Sequence, residues 1–219
     1  MDWLAPLDNY CERVGPGLLA EPLNLISNLG FVLAGLICLR HVRHTHYRNL
    51  RPGSRLLPIL LIMIGVGSAL FHSLANVWTM WADVIPISCF VFTYLWLFLR
   101  HTTKINILNT ILVLVGFVGL STGVAMLADL TVANGGEAYF GTWITLFGIS
   151  SYYLGRKQVH NYLRMILATC LFAVSIFFRT IDLRVCEAFP TGTHVFWHLL
   201  NAGVLYLVTM SYISERGKS

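Results

Sequence analysis

Charge is what this chain has least of: 11% of its residues are Asp, Glu, Lys or Arg, against 56% that are hydrophobic. One soluble core of 219 residues has no room to hide that much apolar surface, so lipid is the expected solvent. Acidic residues are the scarcer sign, ten against fifteen basic ones, for a net charge of +5. The basic residues sit in short runs between apolar stretches, where they face lipid headgroups, and no nucleic-acid partner is expected. Long linkers, low-complexity segments and internal repeats are missing, and with them any sign of a second domain or of an obligate protein partner. The first 22 residues lack a basic start followed by an apolar run and hold Asp2, Asp8, Glu12, Arg13 and Glu21. No cleaved signal peptide is expected, and residues 1–22 read as an outer N-terminal segment.

What the chain has in quantity is apolar runs of spanning length. About 20 such residues cross the hydrocarbon of a bilayer, and that ruler places spans at Leu23 to Leu39, Leu56 to Ala75, Ala82 to Leu99, Ile105 to Leu127, Ala138 to Leu154, Tyr162 to Phe178 and His194 to Ile213. The expected fold is all-α, a single seven-helix bundle over residues 1–219, with short connections such as Arg51-Pro52-Gly53-Ser54 and Asn134-Gly135-Gly136. An outer N-terminus assigns Arg40, Arg43, Arg48, Arg51, Arg55, Arg100, Lys104, Arg156, Lys157, Arg164, Arg216 and Lys218 to the inner face. Only Arg13, Arg179 and Arg184 stay outside, so the N-terminus is expected outside and the tail 214–219 in the cytosol. Trp78, Trp81 and Trp197 then fall near the outer interface.

Polar residues gather at one depth. His41, His44, His46, His101 and His160 lie in inner connections beside Arg or Lys and read as solvated or headgroup-facing. His72, by contrast, ends the second span, and His194 and His198 open the seventh. All three are at the outer side, where the third span also begins, near Asp83. Ser68 and His72 are four apart, as are His194 and His198, so each pair shares a helix face. Two imidazoles one turn apart with a third from another helix form a common zinc arrangement that leaves a fourth position for water. Zinc brings the pKa of such a water down to roughly 7. Asp83 is placed to move its proton or to orient a ligand, and Ser68 to donate to an oxyanion. Together these suit acyl transfer to water. The plainer alternative is that helix-end histidines and serines bond across helices and Asp83 sits at the water interface. Asn24, Ser27 and Asn28 open the first span at helical spacing, and there interhelical hydrogen bonding is the favoured reading.

Cys38, Cys89 and Cys170 lie within spans, whereas Cys11 and Cys186 lie on the outer side. The last two are either a disulfide, which an outer compartment permits, or two free thiols.

These residues resemble the alkaline ceramidase family, part of a membrane hydrolase superfamily that includes adiponectin receptors. The resemblance rests on Tyr10-Cys11-Glu12 and Ala20-Glu21 leading into Asn24-Leu25-Ile26-Ser27-Asn28, on Ser68-Ala69-Leu70-Phe71-His72 with Asp83, and on His194-Val195-Phe196-Trp197-His198. It implies a seven-helix fold with zinc on His72, His194 and His198, Asp83 handling protons, Ser68 steadying the oxyanion, and a Cys11 to Cys186 disulfide. Animal members also carry an N-terminal calcium site; of its ligands only Glu12 and Glu21 match, Asn9 standing in the aspartate's place beside Asp8, and Val14 in that of an asparagine. Short tails and the tight N-terminal segment are similar to bacterial members, which implies a multi-pass protein of the inner membrane. The implied substrate is a membrane lipid, ceramide or one like it, cleaved at its N-acyl bond. Two other functions stay open: hydrolysis of a lipid ester by the same groups, and a non-catalytic receptor or channel whose histidines are structural or sense pH.

Overall fold

The computed structural model describes residues 2–45, 50–127 and 135–215. The expectations for His46, Arg48, Asn134, Arg216 and Lys218 fall outside these residues. The described chain is helical, its strand-like pairing limited to an isolated antiparallel bridge between Pro6 and Asn76. In order come α1 (Pro22–Ser27), α2 (Leu29–His44), α3 (Leu56–Leu74), α4 (Val77–Leu97) with a π turn at Phe98–Thr102, α5 (Ile107–Leu127), α6 (Phe140–Gly155) after a 3-10 turn at Gly136–Tyr139, α7 (Val159–Ile181) with a 3-10 turn at Asp182–Arg184, and α8 (His194–Ser214). Asn28 joins α1 to α2 with helical angles, φ −65° and ψ −19°, so the two run on as one rod.

Six of these rods are long and apolar enough to cross a membrane: α1 with α2, α3, α4 with its π turn, α5, α7 with its terminal turn, and α8. The fifth expected span, Ala138 to Leu154, is the shorter one. Its first residues belong to the 3-10 turn that follows Gly135, whose φ of +75° breaks helical continuity, and α6 proper has 16 residues. The third expected span starts earlier than Ala82. The Asn76 side chain accepts from the Thr79 backbone N–H while the Thr79 hydroxyl accepts from the Asn76 N–H, a reciprocal cap that begins α4 at Val77. Asp83 therefore lies nearly two turns inside α4 rather than at its entrance.

Polarity runs inside out relative to a soluble protein. Leu33, Ile37, Ile59, Met63, Val66, Ile111 and Val115 point outward, and α5 buries only Thr110. Glu21, Asn24, Asn28, Ser68, His72, Asp182, His194 and His198 are buried. An apolar exterior around a polar interior is the arrangement that lipid favours. Between them lies a core of Leu61, Ile64, Phe90, Tyr94, Tyr153, Met165, Phe172 and Tyr212. At the far end of the bundle Arg51 pairs with Glu215 and lies over the Tyr212 ring, 4.2 Å from its centroid. Trp78 and Trp81 are exposed, but Trp197 is 6% exposed and packs inward among Tyr139, Phe172 and His194. It precedes His198 on the same inward arc of α8, so the ring belongs to the core and not to an interfacial belt.

Two features position the polar cluster. A β-carbon on Gly67 would run into the Ala82 carbonyl oxygen and come within 3.3 Å of the Asp83 nitrogen, so only glycine lets α3 and α4 approach beside Ser68 and Asp83. The N-terminal segment is laid over this end of the bundle. Leu7 N–H donates to the Ala75 carbonyl at 2.8 Å, and a disulfide joins Cys11 to Cys186, 175 residues away in the connection between α7 and α8.

Candidate metal centre

His72 sits in the last turn of α3, where Ala75 in the left-handed region ends the helix, and His194 and His198 occupy the first two turns of α8. Each is 2% exposed or less. One nitrogen from each ring lies within 4.8 Å of the others. The structure thus brings together the three histidines expected from sequence.

The protonation of the rings follows from their partners. Ser27 donates its one hydroxyl proton to the Asn24 carbonyl at 2.7 Å, so its oxygen must accept from His198 Nδ1, also at 2.7 Å. Glu21 Oε2 lies 2.5 Å from His72 Nδ1. Burial works to raise the Glu21 pKa, but the hydrogen bonds of His72, Asn24 and Arg13 outweigh it and hold the carboxyl below its usual range. An ionised Glu21 accepts, so His72 Nδ1 is the protonated nitrogen. As neutral imidazoles, the form that binds a metal, both rings present an Nε2 lone pair, and these atoms face each other at 3.2 Å. Two such lone pairs repel unless an electrophile lies between them. Nitrogens bound tetrahedrally to one zinc ion are about 3.4 Å apart, given Zn–N distances of about 2.1 Å. The donor set fits zinc, with Glu21 and Ser27 fixing ring orientation from behind.

His194 is held differently. Its backbone N–H and that of Thr193 donate to Asp182 Oδ1 at 2.9 and 2.6 Å, while Cys11 N–H donates to Oδ2 at 3.2 Å. This fully buried carboxylate caps α8 and fastens the disulfide-linked N-terminal segment to it. Gly192, at φ +64°, makes the turn beside it, and a β-carbon there would strike Asp182 Oδ1. Tyr10 stacks on the His194 ring with centroids 3.8 Å apart. Burial pushes the Tyr10 pKa up to about 12, so the stacking partner is a neutral phenol. Asp182→Asn should lower stability by about 1–3 kcal/mol, because an amide oxygen replaces one of two charged acceptors. Thermal melting checks the loss, and slower reloading of a stripped centre with zinc is expected alongside it.

Ser68 is buried on α3, one turn before His72, and lies beside the Asp83 carboxyl on α4. Asp83 Oδ1 is buried without a hydrogen-bond partner. A buried carboxyl with one oxygen uncommitted, beside a candidate metal-binding set, is equipped for acid and base work.

The calcium expectation at Glu12 and Glu21 meets a different arrangement. Glu12 accepts the N–H groups of Leu23 and Asn24 at 2.6 and 2.8 Å, capping the first turn of α1, where these donors have no partner within the helix. Glu21 gives Oε1 to Arg13 and Oε2 to His72 and Asn24. Calcium takes about six to eight oxygen ligands, and these four carboxylate oxygens are committed elsewhere, so the residues present do not fit it.

Glu21, Ser27, Asp182 and Arg13 surround the histidines, yet only Ser27 offered a local signal for an interhelical bond. The other three act through chain closures of 51 residues, of the disulfide-linked turn, and of a short loop.

A family model described as Ceramidase matches residues 8–217, a stretch that holds every residue of the centre. No curated protein matches the chain.

Proposed function

Because this chain belongs to the ceramidase family, we propose that it is a zinc-dependent hydrolase of the membrane interior that cleaves the N-acyl bond of ceramide or a ceramide-like lipid to a fatty acid and a sphingoid-type amine. The observation that carries the reading is the convergence of His72 Nε2 and His198 Nε2, 3.2 Å apart, with His194 alongside. Zinc held by these residues supplies Lewis acidity, which acidifies water and polarises a carbonyl. The chain's own groups do the rest. Ser68 donates to the carbonyl oxygen as it gains charge. Asp83 takes a proton from the attacking water through its uncommitted oxygen and passes one to the departing amine nitrogen. Water adds across the amide, and acid and amine leave.

An apolar cavity of about 370 Å³ opens beside this set, lined by Phe31, Ile64, Phe90, Phe117 and Trp197. Phe31 also meets the edge of the His198 ring, and Trp197 packs on His194, so the cavity lies next to the centre. Such a space suits a hydrocarbon chain better than a polar solute.

In this reading the whole of 1–219 is one domain, α6 with its preceding turn makes a seventh crossing, and the N-terminus is outside with the tail in the cytosol. The turn and helix together span roughly 32 Å, enough for the hydrocarbon. Twelve basic residues on the inner side against three on the outer favour that direction. The centre then faces the non-cytosolic side, where a disulfide is permitted, as in the inner membrane of a bacterium. No partner beyond the lipid is needed.

Matched amide and ester lipids, assayed on detergent-purified protein of known zinc content, test the substrate class. Faster turnover of the amide is expected. A preference for the ester would make this a lipid esterase, and no turnover of either by zinc-loaded protein would favour a receptor.

A further inference from the structure

Glu21 is buried at 2% exposure, and an ionised carboxylate there needs a counter-charge. Arg13 provides it: Nε lies 2.5 Å from Glu21 Oε1, with both side chains nearly closed to solvent. The same guanidinium sends Nη2 to the His72 backbone carbonyl at 3.0 Å. One planar group thus grips both the carboxylate that orients the His72 ring and the backbone that carries it. A lysine ammonium could supply the charge but not two directed bonds from one rigid fork.

We infer that Arg13 is a positioning residue of the metal centre, a cation built into the chain that does beside Glu21 what a calcium ion would otherwise be needed to do. The inference rests on the zinc reading for what the histidines hold. It goes beyond that reading in making the N-terminal segment part of the centre and the centre independent of calcium. Arg13 is anchored for the task, since the disulfide at Cys11 and the Glu12 cap on α1 precede it by two residues and one residue. Removing the guanidinium frees the Glu21 carboxylate to turn, and the His72 ring loses its fixed bearing.

The test compares parent, Arg13→Gln and Arg13→Lys as full-length protein in detergent. Zinc release to a coloured chelator, uptake of radioactive calcium at millimolar concentration and thermal melting are followed together. Zinc release from Arg13→Gln is expected to be about 10–100-fold faster than from the parent, with Arg13→Lys between the two and the parent taking up no calcium. Faster release with an unchanged melting temperature marks positioning rather than lost structure. Should Arg13→Gln fail to fold, Arg13→Lys, which keeps the charge and loses the fork, carries the comparison. Release from both variants at the parental rate would overturn the inference, as would one tightly bound calcium per parent chain. A parent free of zinc would instead overturn the metal reading, and calcium uptake would still decide whether Arg13 fills the cation's place.

Discussion

His72→Ala is expected to empty the centre of zinc and to lower lipid amide turnover by at least about 10³-fold, since Lewis-acid assistance is worth several kcal/mol and each 1.4 kcal/mol is tenfold. The fold should survive. Glu21 loses its imidazole partner but keeps the Arg13 ion pair, so no naked carboxylate is left buried. Glu21→Gln and Ser27→Ala make the informative comparison, because each removes a group behind a ligand and not the ligand itself. Those variants should retain measurable zinc with affinity down about 10–100-fold. Elemental analysis beside turnover gives the ranking directly. If His72→Ala binds no metal and still hydrolyses the amide at the parental rate, the histidines are structural and the hydrolytic reading is wrong.

That ranking separates what the sequence could reveal from what it could not. His194 and His198 declare a shared face because a helix repeats every 3.6 residues, and Ser68 declares itself beside His72 for the same reason. Long apolar runs declare rods. Glu21 holds His72 from 51 positions away, and no period links them. Asp182 reads as a loop acid next to Arg179 and Arg184 until Gly192 folds the backbone back onto it. Hydropathy likewise misplaced the start of α4, since the Asn76 and Thr79 cap is a matter of hydrogen bonds and its residues are too polar to extend an apolar run. It placed Trp197 at an interface for want of the helix's rotation, which turns that ring inward with His198. Resemblance to a family supplied Glu12 and Glu21 as calcium ligands, whereas the Arg13 side chain, visible in the sequence as one more outer charge, is what lies beside Glu21.

Asp83→Asn is expected to keep the zinc and lose the chemistry. The amide has nearly the shape of the carboxylate, so α3 and α4 stay docked across Gly67. It can neither take a proton from water nor hand one to nitrogen, and general acid and base catalysis of this kind contributes about 10²–10⁴-fold. An amide substrate feels the loss more than an ester, because an amine must be protonated to leave whereas an alkoxide is the better leaving group. The ratio of ester to amide turnover should therefore rise in Asp83→Asn even as both fall. Ser68→Ala removes a donor to the carbonyl oxygen, should cost about 10²–10³-fold, and should leave that ratio near its parental value. The double variant is expected to be less impaired than the product of the two single losses, because Ser68 and Asp83 are neighbours serving one reaction. Zinc lost from Asp83→Asn would place the aspartate in support of a ligand, and a turnover unchanged by the substitution would remove it from the reaction altogether.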